Sequence, residues 1–317
     1  MNEDKASRYH RLKRRVSLAS LAWTILLLGG LLATDGSLAL RDWAEGVAGV
    51  VPAPLASAGT VVFYVAGLTL VSEIGSLPLA FYSTFVVERR YGLSNESFGA
   101  WLKDQVKSLA LGLVLGAGAV SVIYFFIRLS PTGWWLPAGA AFALVIIGLT
   151  NLAPILLLPL FYTLKPLGRE SLRVRLVAMA ERAGARVLGV YEWGLAEKTK
   201  KANAALTGIG STRRILVSDT MLAEYSEEEI EVVMAHEVAH HVHGDIWKGI
   251  AFEGLLILAG FFVAARVLSL GVGPLGLKGA DDVAGLPLLL LAAGAVSLVM
   301  MPAAHAISRS HERRADR

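Results

Sequence analysis

His236-Glu237-Val238-Ala239-His240 sets two histidines four residues apart with a glutamate beside the first. Residues four apart share a helix face, so both imidazoles can reach one tetrahedral zinc ion at about 2.0–2.1 Å. Glu237, one step round, lies next to the metal's open position, where a carboxylate can take a proton from water. His241 and His243 follow at offsets that point away from the ligand face. Position 246, where a third histidine would extend the motif, holds Ile246. The chain has no cysteine. That excludes thiolate nucleophiles, iron–sulfur clusters, cysteine-ligated zinc and a disulfide-stapled fold.

Catalytic zinc commonly keeps three protein ligands and a water, so the third must be a carboxylate or a histidine from elsewhere. Near the carboxyl end the chain reads Ser308-Arg309-Ser310-His311-Glu312-Arg313-Arg314-Ala315-Asp316. Glu312 is the expected third ligand. Asp316, one helical turn on, is placed to accept a hydrogen bond from a ligand histidine's other ring nitrogen and fix its tautomer.

The elements carrying these residues are bounded by the membrane. With 55% apolar and 18% charged residues and a mean hydropathy of +0.56, the chain is too apolar for an ordinary water-soluble domain. A bilayer crossing takes about 20 mostly apolar residues. Six runs qualify: Val16 to Thr34, Thr60 to Phe85, Ser108 to Ile127, Trp134 to Tyr162, Gly249 to Leu270 and Val283 to Ile307. The first exceeds the apolar core of a cleaved signal peptide and reads as an uncleaved anchor. Glu73, Glu253, Arg266 and His305 fall inside runs, where an ionisable group faces a hydrated interior or snorkels from a span end.

Orientation follows from the basic residues. Lys5, Arg8, Arg11, Lys13, Arg14 and Arg15 precede the first run, whereas residues 35–59 offer Arg41 against Asp35, Asp42 and Glu45. The amino terminus is therefore expected in the cytoplasm. Six crossings then put residues 163–248 and the basic tail on that same side, which lets Glu312 meet the paired histidines. The basic cluster lacks aromatic interleaving, so the bilayer is the expected partner and nucleic acid is not.

The expected fold is a polytopic α-helical membrane protein of about six transmembrane helices with a small α+β cytoplasmic unit. Residues 1–15 form a basic segment, 16–162 a four-span membrane domain, 163–248 the α+β segment, 249–307 a transmembrane hairpin and 308–317 a third-ligand segment expected to be truncated. Within the α+β segment, Arg169 to Ala183 reads as an amphipathic helix. Val187 to Trp193, Asn203 to Ile209 and Arg213 to Ser218 read as strands, the last two forming a hairpin. Ser226 followed by Glu229 is a capping box opening the helix of the paired histidines. Asn203 to Leu206 read as a strand edge where an extended peptide could pair, with Asn203, Ala204 and Ala205 as the candidate contacts.

HExxH followed, two spans later, by SRxxExxAD resembles the membrane-integrated gluzincins that comprise the CAAX prenyl endopeptidases and the HtpX-type quality-control proteases. Leu77 to Gly92 and Trp101 to Gln105 are similar to the CAAX amino-terminal domain. Asn203 to Gly208 and Arg213 to Thr220 are similar to that branch's strand pair before the zinc helix. The resemblance implies a zinc endopeptidase acting on membrane-associated, prenylated or quality-control substrates. His236, His240 and Glu312 would be ligands, Glu237 the general base and Asp316 the residue orienting a ligand. Members of that family continue past the position of Asp316, where a terminal helix this short would fray. Two other classes fit less well. A metal transporter would carry its ligands inside the spans, and an inactive scaffold or fragment would keep the motif without turnover.

Overall fold

A computed structural model describes residues 4–208 and 210–316. Ile209, where the second expected strand ends, lies outside the described residues, as do residues 1–3 and Arg317. In chain order the helices begin with α1 (Lys5–Ala33), α2 (Gly36–Ala48) and α3 (Ala53–Ala80). A π-helical stretch, Phe81–Val87, leads from α3 into α4 (Glu88–Arg90). Pro78, which cannot donate the i→i−4 bond, lies just before this widened turn. Next come α5 (Phe98–Leu129), α6 (Trp135–Leu152), a second π-helical turn (Ala153–Leu157) and α7 (Leu158–Phe161). The α+β segment follows as β1 (Leu164–Pro166), α8 (Glu170–Arg182), β2 (Val190–Trp193), β3 (Ala204–Thr207), β4 (Arg214–Ser218), α9 (Asp219–Glu224) and α10 (Glu227–Val242). Two long helices, α11 (Asp245–Gly271) and α12 (Leu286–Ala315), complete it.

Among the described residues, five helices are long and apolar enough to cross a bilayer. A sixth crossing exists if Trp135–Thr150 and Ile155–Phe161, bent by 60°, count as one. The uninterrupted apolar run from Trp134 to Tyr162 is thus a broken helix. Pro154 and Pro159 lack the backbone donors a straight helix would need there. Residues 35–59, expected as a loop, contain α2, whose Ser37, Arg41, Ala44 and Ala48 are buried. The carboxyl-terminal segment is also not a separate short helix. It is the last two turns of the 30-residue α12, which carries Glu312, and Ala315 at its end is buried.

The chain divides into two compact units. One comprises Met1–Tyr91, Phe98–Phe142 and Gly254–Met300. Its core gathers Val61, Tyr64, Tyr124, Ile127, Trp134 and Leu268. Inside it lies a buried polar cluster. Arg41 Nη1 donates to Asp282 Oδ2 at 2.7 Å, and the other Asp282 oxygen accepts the Ala284 N–H at 3.0 Å. Ser37 Oγ bonds the Tyr64 hydroxyl and the Ala284 carbonyl, each at 2.6 Å, and Tyr124 donates to the Asp282 carbonyl at 3.2 Å. Charges taken out of water survive only when paired and hydrogen-bonded, which this cluster achieves for α2, α3, α5 and the 272–285 loop.

The other unit comprises Gly92–Ser97, Ala143–Glu253 and Met301–Arg317. Its four-stranded sheet has the order β1-β2-β4-β3, with β2 parallel to β4 and the remaining pairs antiparallel. The alternate residues Val190, Ala204, Ile215 and Val217 pack with Leu172 and Leu176 of α8 and with Ile230 and Met234 of α10. β1 adds an edge strand that residues 163–169 do not announce by alternation.

Asp282→Ala should lower the unfolding free energy of the detergent-solubilised protein by about 3 kcal/mol, since it leaves the buried Arg41 guanidinium with only the exposed Asp42 carboxylate and takes the acceptor from the Lys278 and Ala284 N–H groups. Lys278→Ala, which removes only the exposed pair with Glu45, should cost less than about 1 kcal/mol in the same thermal melts.

Candidate metal centre

α10 begins where its capping box dictates. Ser226 Oγ accepts the Glu229 N–H at 3.3 Å, and Glu229 Oε2 accepts the Ser226 N–H at 2.8 Å. Glu227, Glu228 and Glu229 fill the first turn, where negative charge complements the helix dipole. Ile230, Met234 and Val238 form the buried stripe. At 3.6 residues per turn, His236 and His240 then come round on the far side of the helix from that stripe.

Glu312 meets them there. Its Oε2 lies 3.3 Å from His236 Nε2, and its Oε1 lies 3.8 Å from His240 Nε2. The three residues can each offer one ligand atom, all within 4.8 Å of one another. Bonds of about 2.0–2.2 Å at tetrahedral angles put neighbouring donors roughly 3.3–3.5 Å apart, so this donor set fits zinc. The histidine rings stand edge-on, with centroids 4.9 Å apart and planes at 90°.

Each histidine's other nitrogen has a carboxylate. His236 Nδ1 is 3.0 Å from Asp316 Oδ1, and His240 Nδ1 is 3.1 Å from Asp245 Oδ2. A proton on Nδ1 shared with a carboxylate leaves the Nε2 lone pair free, and both Nε2 atoms face Glu312. Asp245 is absent from the expectations drawn from sequence. Its signal is modest: an acid five residues beyond the second histidine, just past Gly244, whose left-handed backbone (φ 64°) ends α10. The turn folds residue 245 back onto residue 240.

Glu237 sits half-buried beside His236 and His240. Burial pushes its carboxyl above the ordinary glutamate range, helped by the Glu312 carboxylate and opposed by charge on His240 and His236. His241 is occupied elsewhere: burial and the Arg213 cation lower its pKa, against a hydrogen bond with the Gly184 backbone. His243 is exposed at the end of the helix.

β3 is a sheet edge that lies against α10. Asn203 precedes it and turns inward. Its N–H donates to Ser218 Oγ at 2.8 Å, and its carbonyl accepts the Ser218 N–H at 2.9 Å. By the alternation of an antiparallel ladder, Ala205 also bonds toward β4, and the outward backbone groups belong to Ala204 and Leu206. Of the expected edge Asn203 to Leu206, Ala204 and Leu206 therefore carry the outward groups, and Asn203 and Ala205 contribute no backbone groups to it. Of the ionisable residues in the apolar runs, Glu253, Arg266 and His305 lie on exposed helix surface and Glu73 is half-buried. The donor group contains none of them.

Two family models together match nearly the whole chain. Residues 2–163 match the CAAX prenyl protease N-terminal domain of five membrane helices, and residues 166–317 match peptidase family M48. A protein of Bacillus subtilis named as an uncharacterized metalloprotease is 31% identical over 98% of this chain and 72% of its own length. CAAX prenyl protease 1 of Saccharomyces cerevisiae is 28% identical over 59% of this chain. The chain spans only 42% of that yeast relative's length. The crystal structure of S. mikatae Ste24p superposes with a TM-score of 0.85 at 23% identity, over 98% of this chain and 76% of that one. That likeness establishes a shared fold.

Metal analysis of chelator-stripped, zinc-reloaded protein should find about one equivalent in the unaltered chain. His236→Ala, His240→Ala and Glu312→Ala should each retain essentially none after desalting.

Proposed function

The chain belongs to peptidase family M48 and is a membrane metalloprotease, and on that premise we propose that His236, His240 and Glu312 hold a zinc ion for the hydrolysis of peptides at the membrane surface. The observation that carries this reading is the convergence of two Nε2 atoms and a carboxylate beside a half-buried Glu237. When bound, zinc would polarise a scissile carbonyl and acidify a water.

The protein's own residues perform the rest. Glu237, its proton affinity raised by burial, takes the proton from the attacking water and delivers it to the departing amine. Asp316 keeps His236 in the tautomer whose Nε2 is free. The outward N–H and C=O groups of Ala204 and Leu206 pair with an extended substrate as an added strand. The substrates in this reading are segments of membrane-attached proteins, including prenylated carboxyl-terminal peptides of the kind that the relatives' names describe. The amino-terminal basic cluster supports a cytoplasmic site in this reading, with the bent pair Trp135–Thr150 and Ile155–Phe161 counted as one crossing.

Glu237→Gln tests the assignment directly: bound zinc should be unchanged while peptide hydrolysis falls by about 10²–10⁴-fold. Persistent hydrolysis in that variant would remove Glu237 as the base. Leu206→Pro deletes an outward N–H at an edge position that tolerates proline. It should reduce kcat/KM by roughly 2- to 10-fold with zinc content intact. Asn203→Pro should act instead on stability, because it breaks the inward bond to Ser218.

A further inference from the structure

Asp245 is the first residue of α11 and is 6% exposed. A carboxylate so deeply placed needs several partners, and it has them. Oδ2 faces His240 Nδ1 at 3.1 Å, and Oδ1 accepts Arg314 Nη2 at 2.8 Å. Lys248 Nζ lies 3.4 Å and His311 Nε2 3.7 Å from the same Oδ1. The two oxygens thus divide their work. One addresses the helix that carries the paired histidines, and the other addresses the helix that carries Glu312.

We propose that Asp245 is a positioning residue for the metal site: it orients His240 and, through Arg314, holds the Glu312-bearing end of α12 at ligand distance. This rests on the zinc reading above. Of the carboxylates behind the ligand histidines, Asp316 is 68% exposed and Asp245 6%. Water competes for the Asp316 contact and hardly at all for the Asp245 one, so the buried residue fixes geometry more firmly. Arg314 is two residues from Glu312 on one rigid helix, so anchoring its guanidinium limits both the slide and the rotation of the ligand carboxylate. No residue between 246 and 310 has to contribute a ligand for this to hold.

Asp245→Asn separates positioning from mere packing, because the amide keeps the volume but cannot accept with both ends. One orientation of the amide sets its NH₂ against Arg314 and Lys248, and the other turns it toward His240. Zinc affinity, measured by competition with a chromophoric chelator on protein that elutes as a single folded species, should weaken by about 10- to 100-fold. The visible spectrum of the cobalt-substituted protein should change as the ligand field distorts. Arg314→Ala, which leaves the His240 contact intact, should also weaken zinc, by a smaller factor, and it serves as the second probe if Asp245→Asn does not fold. Zinc affinities within twofold of the unaltered protein in both variants, together with an unchanged cobalt spectrum, would overturn the proposal while leaving the ligand assignment standing. Failure of the unaltered protein to hold zinc, or insensitivity of its affinity to His240→Ala, would overturn the ligand assignment and this inference with it.

Discussion

Three donor atoms from two helices far apart in sequence must lie within a few ångströms of one another, and the local architecture serves that requirement. A single helix supplies two of them at no conformational cost, because four residues make about one turn. The third has no local reason to be there. It arrives where α12 returns with Arg314 against Asp245, the first residue of α11, so the ends of two long helices meet at one buried carboxylate. Mutual repulsion would otherwise keep Glu312, Asp245 and Asp316 apart. The imidazoles and Arg314 between them make the arrangement tolerable, and a divalent cation would complete the charge balance.

The same economy governs the apolar unit. Arg41 and Asp282 are costly to bury singly and tolerable as a pair whose remaining valences go to Lys278 N–H, Ala284 N–H and Asp42. Ser37, Tyr64 and Tyr124 extend the cluster, so four segments are tied at one polar point amid side chains that otherwise carry no directional preference. Dispersion and apolar burial hold such helices together but scarcely discriminate between rotations. A satisfied polar cluster does. In the α+β unit the discriminating device is the sheet, whose alternation assigns Ala204 to the core and turns the backbone groups of Ala204 and Leu206 away from β4.

Much of this was legible from residue types. Apolar runs name the crossings because a bilayer core allows nothing else, and HExxH on a capped helix names two donors because helical periodicity is rigid. The strands of residues 190–193 and 214–218 and the hairpin ending at Ser218 follow from alternation and glycine punctuation. Other features were hidden. The break at residues 153–157 is masked by unbroken apolarity, and α2 by its position between spans. β1 is too short to alternate, and its pairing with β2 needs a partner that the local chain does not specify. The inward turn of Asn203 depends on Ser218, fifteen residues away, so no reading of the 203–205 segment alone could place its N–H.

By itself, the sequence determined that this chain lives in a bilayer, that two imidazoles share a helix face and that a glutamate stands beside them, because each follows from spacing within one element. Only the tertiary structure decided that Glu312 lies against both imidazoles, that Asp316 lies against His236 rather than His240, and that Asp245 lies against His240. These choices depend on the angle at Gly244 and the rotation of α12, which are set by contacts between segments. Periodicity fixes what one helix presents, and packing alone determines what it is presented to.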